Sequence, residues 1–584
     1  MKYIRLLAGL AGFVAMAVFL HIAYRYHFFY VEQLQLFQFA PDYLASQLGE
    51  MGGVAHLMGE FLTQYFAYPY MGPLLVAALL MTIVGCTRAL LRTVAPGREL
   101  FLLYLLPAYG LLLMQLDFNY LLKGTVAFAL MELSLLATLR IPRPLWKEGI
   151  TLVLTLLLFG VAGPIAGLYA LVAFLTDLLT RRGKQVLLFD ALALAAYALV
   201  AWASVECVWV RSYAYAFTAQ PYYHPNLPPS LLVYFAWGSL PLGLLCAALW
   251  RLCGAVSARR AVVEGLLQSL LFVALLVVSL PKYDARSSYL LKRLDYANRQ
   301  ADWQEVIRLS EGPLQNYLYV NYLNRALAER GELADRAFAF NQHGPQGLMV
   351  GWNKTFSVSL ILSDVYFTLG EVALAQEMAF EANVSMIGAG SPRCLMRLVQ
   401  TNLIFGAYPV AEKYIRVLEQ TAAYADWARR QRVFLYDDAA VEADPLLGAK
   451  RRGLPKESDL AGIRGLAHDL LVRAEHDPSN RLPIHYVGVQ QLLAKDLKGF
   501  QALLDRYYGT EVLPELPVGF QEALIMLAEK QPERWSYYNV SEATVARYKG
   551  YRDLVLKNRA NPQLPQLIQR YFGSTYWAYF LLTK

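Results

Sequence analysis

The sequence predicts an all-α fold in two parts: a polytopic transmembrane helical bundle of about nine segments, followed by an α-solenoid of helical repeats. Three observations carry this. Apolar runs of the length that crosses a bilayer, about 20 residues, recur throughout residues 1–281. Charge is displaced to the second half. A spaced repeat of large, small and glycine residues appears between Leu362 and Leu418.

The 584 residues are too many for one core, so at least two domains are expected. The chain is 57% hydrophobic and only 17% charged, against about 25% charged in ordinary soluble proteins. Residues 1–281 hold 17 Lys and Arg with 12 Asp and Glu, and residues 282–584 hold 36 and 33. The expected domains are therefore a transmembrane region, 1–281, and a water-soluble helical domain, 282–584. Net charge divides as +5 and +3. So small an excess on the soluble half carries no polyanion-binding signal and excludes nucleic acid as an expected partner. Five cysteines (Cys86, Cys207, Cys246, Cys253 and Cys394) form neither a disulfide framework nor a CxxC metal pattern.

Candidate spans lie near 6–27, 70–91, 99–117, 120–139, 186–206, 231–250 and 262–280. A signal peptide ending at Ala15-Met16-Ala17 is the alternative for the first, but the apolar run continues to Ala23, which favours an uncleaved span. Residues 150–179 are apolar throughout but interrupted by Gly163-Pro164, so they form one tilted helix or a hairpin of two short ones. Positive charge favours the hairpin. Basic clusters occur at Lys2/Arg5, Arg88/Arg92/Arg98, Arg140/Arg143/Lys147, Arg181/Arg182/Lys184 and Arg251/Arg259/Arg260, with nearly bare connections between them. Only a hairpin puts all five on the cytoplasmic side. The N-terminus is then inside and the C-terminal domain extracytoplasmic.

The connection 28–69 is expected on the outer side. It carries Glu32, Asp42, Glu50, Glu60 and His56 without any Lys or Arg, and its apolar spacing suggests two interfacial helices. Asp117, Lys123, Arg211 and His224 lie in the other outer connections and are candidate binding residues. Ionisable groups beside membrane segments are costly and are functional candidates by default. A carboxylate near cations suits chemistry on a lipid phosphate: the base takes a proton from a hydroxyl, and Arg or Lys holds the phosphate. The bland alternative is that these residues simply meet water and headgroups. Glu132, midway along a span, is expected to face other helices. Asp177 and Asp190, flanking Arg181/Arg182/Lys184, read as ion pairs at the cytoplasmic edge.

Beyond Leu290 the pattern becomes amphipathic and helical. Leu362, Tyr366, Gly370, Ala375 and Ala382 are followed, 36 residues later and in phase, by Leu398, Gly406, Ala411 and Leu418. Glycine supplies the left-handed turn, and alanine allows close approach of paired helices. This spacing is similar to that of tetratricopeptide repeats, so the domain is read as TPR-like. Further turns are expected near Ala301-Asp302 and at Gly331. The run 437–460, acidic and then basic, reads as a loop. His468, His476 and His485 read as surface residues, and no metal site is expected. The aromatic tail Tyr571–Leu582 is either a capping helix or a membrane or partner contact.

Two resemblances bear on these residues. Phe29-Tyr30-Val31-Glu32-Gln33-Leu34-Gln35-Leu36-Phe37, Leu121-Leu122-Lys123-Gly124, Asp302-Trp303 and the stretch Asp364 to Gly370 resemble an uncharacterised family of bacterial multi-pass proteins with a TPR-like C-terminal half. That resemblance implies a location in the bacterial inner membrane and no particular activity. A first span, an outer loop of two helices with an acidic residue near its start, and later short helix pairs also resemble the C-type glycosyltransferases, which take sugars from polyprenyl-phosphate donors. This second resemblance implies Glu32 as catalytic base, with Lys123 or Arg211 near the phosphate. Here Glu32 is followed by Gln33, where that superfamily commonly has a paired Asp/Glu. The second reading, drawn from the repeats, is a non-catalytic membrane-anchored scaffold that holds a protein partner for envelope assembly. The residues leave the cofactor unknown.

Overall fold

The computed structural model describes residues 2–180, 183–252, 258–283, 286–386, 388–455 and 464–583. Arg181, Arg182 and Cys253, named above, lie outside the described residues. The described chain is helical, with two isolated β-bridges and no extended strand. It divides into two compact units. The first comprises Met1–Tyr289 with Ile387–Ala389 and Val417–Asp426; the second comprises Leu290–Met386, Gly390–Arg416 and Trp427–Lys584.

The first unit contains α1 (Lys2–Val31), α2 (Pro41–Leu48), α3 (Gly53–Thr63), α4 (Met71–Val94), α5 (Phe101–Gln115), α6 (Leu122–Leu139), α7 (Pro144–Ala162), α8 (Ile165–Leu179), α9 (Lys184–Glu206), α10 (Tyr213–Phe217), α11 (Leu231–Leu252) and α12 (Ala258–Tyr283). Helix α4 packs on α1, α5, α6 and α11, while α7, α8 and α9 pack on one another. Leu20, Val76, Ile83, Leu111, Phe128 and Tyr169 form a core with essentially no exposure. The outward side is apolar as well. Leu266, Leu270, Val277 and Val278 of α12 are exposed, as in a helix whose surroundings are hydrocarbon.

Among the described residues six helices are long and apolar enough to cross a membrane, where the sequence suggested about nine segments. The three segments not among the six are α5, α7 and α8, and for two of them the difference is one of length. Helices α5 and α8 have 15 residues each, about 22 Å of helix against a hydrocarbon core of about 30 Å. The apolar run 150–179 is two helices, broken where Gly163 takes φ +91° and Pro164 follows. Glycine alone accepts that angle without strain.

Asp177 forms an ion pair with Lys147 of α7, and Asp190 has none among the described residues, which do not include Arg181 and Arg182. Arg251 donates to the terminal carbonyls Val94 O (3.2 Å) and Leu179 O (3.1 Å), satisfying the C-terminal ends of α4 and α8. Glu132 accepts from Thr87 Oγ1 at 2.6 Å, a contact between α4 and α6.

The second unit begins within α13 (Arg286–Arg299), from Leu290, and continues with α14 (Trp303–Leu309), α15 (Tyr317–Glu329), α16 (Leu333–Arg336), α17 (Phe356–Leu369), α18 (Val372–Val384), α19 (Pro392–Ile404) and α20 (Tyr408–Glu419) as far as Arg416. Turns fall at Ala301, Gly331, Gly370 and Gly406, all with positive φ. Asp302 caps α14 by accepting from Glu305 N at 3.1 Å. Ala375, Ala382 and Ala411 are fully buried.

The stretch 437–455 is not a loop. It forms two short helices, Asp438–Ala443 and Leu447–Arg452, and 456–460 lies outside the described residues. The acids that suggested a loop are caps. Asp437 accepts from Ala440 N at 2.9 Å, and Asp444 from Leu446 N and Leu447 N at 2.9 and 2.7 Å. From the basic run, Arg451 reaches Ile404 O and Leu403 O at the C-terminus of α19 (3.0 and 2.7 Å). His485 is half-buried, edge-on to Phe520, rather than a surface residue. In the aromatic tail, Tyr576 and Trp577 are buried inside the second unit, the Trp577 indole donating to Glu522 O at 2.7 Å.

Candidate functional site

Helix α1 ends in a short 3₁₀ turn, Glu32–Leu34, which points Glu32 and Gln33 into the protein. A buried carboxylate needs donors, and the residues Val417–Asp426, which cluster with this unit, supply one. The Tyr424 hydroxyl lies 2.9 and 2.8 Å from the two Glu32 oxygens. Gln33 Nε2 also donates to Glu32 and reaches Tyr424 Oη at 3.0 Å. Backbone contacts hold the segment: Phe39 N to Gln420 O at 2.8 Å, and Ala422 N to Gln64 Oε1 at 3.0 Å. The residue expected as base is thus enclosed in a hydrogen-bonded staple.

Helix α3 is placed by two glycines. Gly52, at φ +77°, donates to Gly160 O at 2.8 Å and sits against Ala162. Gly59 lies against the Lys123 backbone so closely that an added Cβ would be 2.7 Å from Lys123 N. The face carrying Ala55, Gly59, Glu60 and Thr63 is buried against α6 and α7. On that face His56 and Glu60, one helical turn apart, meet at 3.1 Å (Nε2 to Oε1). Tyr43 of α2 donates to the other Glu60 oxygen. Burial, and then the adjacent Glu60, push the Tyr43 hydroxyl well above its usual pKa, so it stays a donor. Lys123, at the start of α6, lies in the electrostatic field of Glu60 and Glu50.

Chemically, this is a carboxylate–imidazole pair on a helix packed against the Lys123 backbone. A carboxylate facing Nε2 selects the tautomer protonated there and leaves Nδ1 as the proton acceptor. The Lys123 ammonium is suited to a phosphate oxygen.

The other expected residues fall elsewhere. Asp117 accepts from Asn119 N and Nδ2 (both 3.0 Å) and from the Tyr223 hydroxyl. It closes a turn where Tyr120 and Tyr223 form a β-bridge, flanked by Leu121 N to Tyr222 O (3.0 Å) and His224 N to Asn119 O (2.9 Å). Asp117 and His224 therefore share one place, as loop fasteners. His224 Nδ1 accepts from Asn226 N at 3.3 Å, and burial lowers its basicity, which keeps the ring neutral at pH 7. Arg211 is exposed, its guanidinium 5.9 Å from the Tyr215 ring. Lys123 alone of the four joins a second charged centre. Sequence reasoning missed the His56–Glu60 pair, although their i, i+4 spacing on an amphipathic helix was a signal that could have found it. Nothing local announced Tyr424.

The second unit has a polar cleft of about 930 Å³ lined by Arg330, Asp335, Lys450, Arg481, His485 and Glu515, among others. Burial lowers the Lys450 pKa to about 8 and that of His485 to about 4.

No curated protein and no solved structure matches the chain. The sequence profile described as "Family of unknown function (DUF6057)" matches residues 1–583, and the chain belongs to that family.

Proposed function

We propose that this chain is an integral membrane transferase acting on a lipid-linked phosphate donor, with His56 as base, Glu60 orienting it and Lys123 contacting the phosphate. The observation that carries the reading is the 3.1 Å His56–Glu60 pair on a helix docked against Lys123. In the proposed step His56 Nδ1 takes the proton of an acceptor hydroxyl. That oxygen bonds to the anomeric carbon of a polyprenyl-phosphate sugar, and the polyprenyl phosphate leaves with the bonding electrons. The donor class is taken from the resemblance to C-type glycosyltransferases. Glu32 serves as the staple for residues 417–426 and Asp117 as a turn fastener. We place the pair on the extracytoplasmic side of a bacterial inner membrane, and the TPR-like C-terminal domain is likewise read as extracytoplasmic. Arg251 supports this orientation, since it joins the ends of α4 and α8, next to the other basic clusters.

The test is native mass spectrometry for retained polyprenyl-phosphate lipid, with sugar turnover measured for the wild type, His56→Ala and Glu60→Gln. Retained lipid with turnover reduced roughly 10²- to 10⁴-fold in both variants is the expected result. Undiminished turnover in His56→Ala sinks the assignment. The cleft in the second unit favours a second reading, a non-catalytic scaffold holding an envelope protein. A stoichiometric protein partner, with no polyprenyl lipid, would decide for it.

A further inference from the structure

We propose that Glu148, Asp177 and Asp190 bind one hard divalent cation inside the first unit. The three carboxylates come from α7, α8 and α9, at the end of the bundle opposite the Gly163 turn. Their exposures are 2%, 1% and 0%. One oxygen from each lies within 4.8 Å of the others, the span that a single ion with oxygen ligands at about 2.3–2.6 Å bridges.

Lys147 pairs with Asp177 and lies 3.4 Å from Glu148. That trio alone reads as a structural ion pair. Asp190 is a separate observation. It arrives from a third helix, is fully buried, and among the described residues has neither an ion pair nor a hydrogen-bond donor on either oxygen. Both oxygens of Glu148 also lack a donor. Glu148 and Asp190 thus bring two carboxylates into a buried site with no hydrogen-bond donor on any of their four oxygens among the described residues, and buried charges are paired or coordinate metals. One divalent ion balances the site. All ligand atoms are oxygen, which selects the magnesium, manganese and calcium class over zinc or copper. The buried Tyr169 hydroxyl, held at 2.8 Å by Thr138 Oγ1, lies within electrostatic reach of Asp190 and Glu148 and offers a further oxygen.

The experiment uses the full chain in detergent, stripped with chelator and titrated with Mn²⁺ at pH 7.5 by calorimetry and electron paramagnetic resonance. The expected result is one equivalent per chain, displaced by Ca²⁺ or Mg²⁺, with a melting temperature that rises with metal concentration. Asp190→Asn and Glu148→Gln should each weaken binding by at least roughly tenfold and melt no lower than the metal-free wild type. That last comparison separates a lost ligand from a misfolded protein. If the wild type binds no Mn²⁺ at millimolar concentration, the carboxylates are holding protons and the proposal is overturned. Variants that bind as tightly as the wild type overturn it equally.

Discussion

Gly59→Ala is the smallest change that tests how α3 carries His56 and Glu60. The new methyl would lie 2.7, 2.8 and 2.8 Å from Lys123 N, Cα and Cβ. Ordinary carbon contacts lie at about 3.5–4.0 Å, so the helices must part by roughly 0.7–1 Å. Two of the three atoms are backbone, which no rotamer change relieves. Overpacking of this kind costs about 1–3 kcal/mol, and the better helix propensity of alanine returns up to about 1 kcal/mol. A net loss of about 1–2 kcal/mol corresponds to a melting temperature lower by roughly 2–8 °C. A displacement near 1 Å at a catalytic pair costs about 10²-fold in turnover. The assay is intrinsic fluorescence melting in detergent beside a Gly85→Ala control in α4, where nothing lies within 4 Å of the added Cβ. The control should melt with or above the wild type. If Gly59→Ala melts with it, the close docking of α3 on Lys123 is wrong.

Two further predictions concern the second unit. Asp364 is ion-paired to Arg393, Arg397 and Arg325, and its Oδ2 accepts from Asn298 Nδ2 at 3.0 Å. Burial works against its ionised form, but the three arginines more than reverse that and hold its pKa well below the usual carboxylate range. Asp364→Asn should cost about 3–5 kcal/mol. The stabilisation is fully present above the unfolded pKa of about 3.9 and is lost as pH falls toward the folded value, so the gap between variant and wild type should narrow only below about pH 4. Melting curves from pH 3.5 to 8 check this. Glu522 behaves in the opposite sense. Burial raises its pKa to about 7, against the opposing hydrogen bond from Tyr576 N and the Arg547 charge. Stability from this group is present below about pH 4.3 and falls as pH rises through 7, by roughly 3 kcal/mol in all. Glu522→Gln should flatten that slope, melting above the wild type at pH 8 but not at pH 5.

Much of the architecture follows from local rules that a single sequence displays. The break at Gly163-Pro164 and the turns at Gly370 and Gly406 needed only the knowledge that glycine tolerates positive φ. The apolar segments were visible because each is a continuous run, although composition alone did not tell a 15-residue helix from one long enough to span. The acidic stretch after Asp437 was misjudged for an equally local reason. Aspartate favours both loops and helix N-caps, and only the bonds from Asp437 to Ala440 N and from Asp444 to Leu447 N distinguish them.

What the sequence by itself determined is where helices start, stop and turn apolar, because those choices depend on neighbours three or four positions away. Which charges meet was decided only by the tertiary structure. Glu32 found Tyr424, 392 positions along the chain, and Asp190 found Glu148 and Asp177. Electrostatic partnership depends on distance in space and on exclusion of water, and neither is a property of sequence separation.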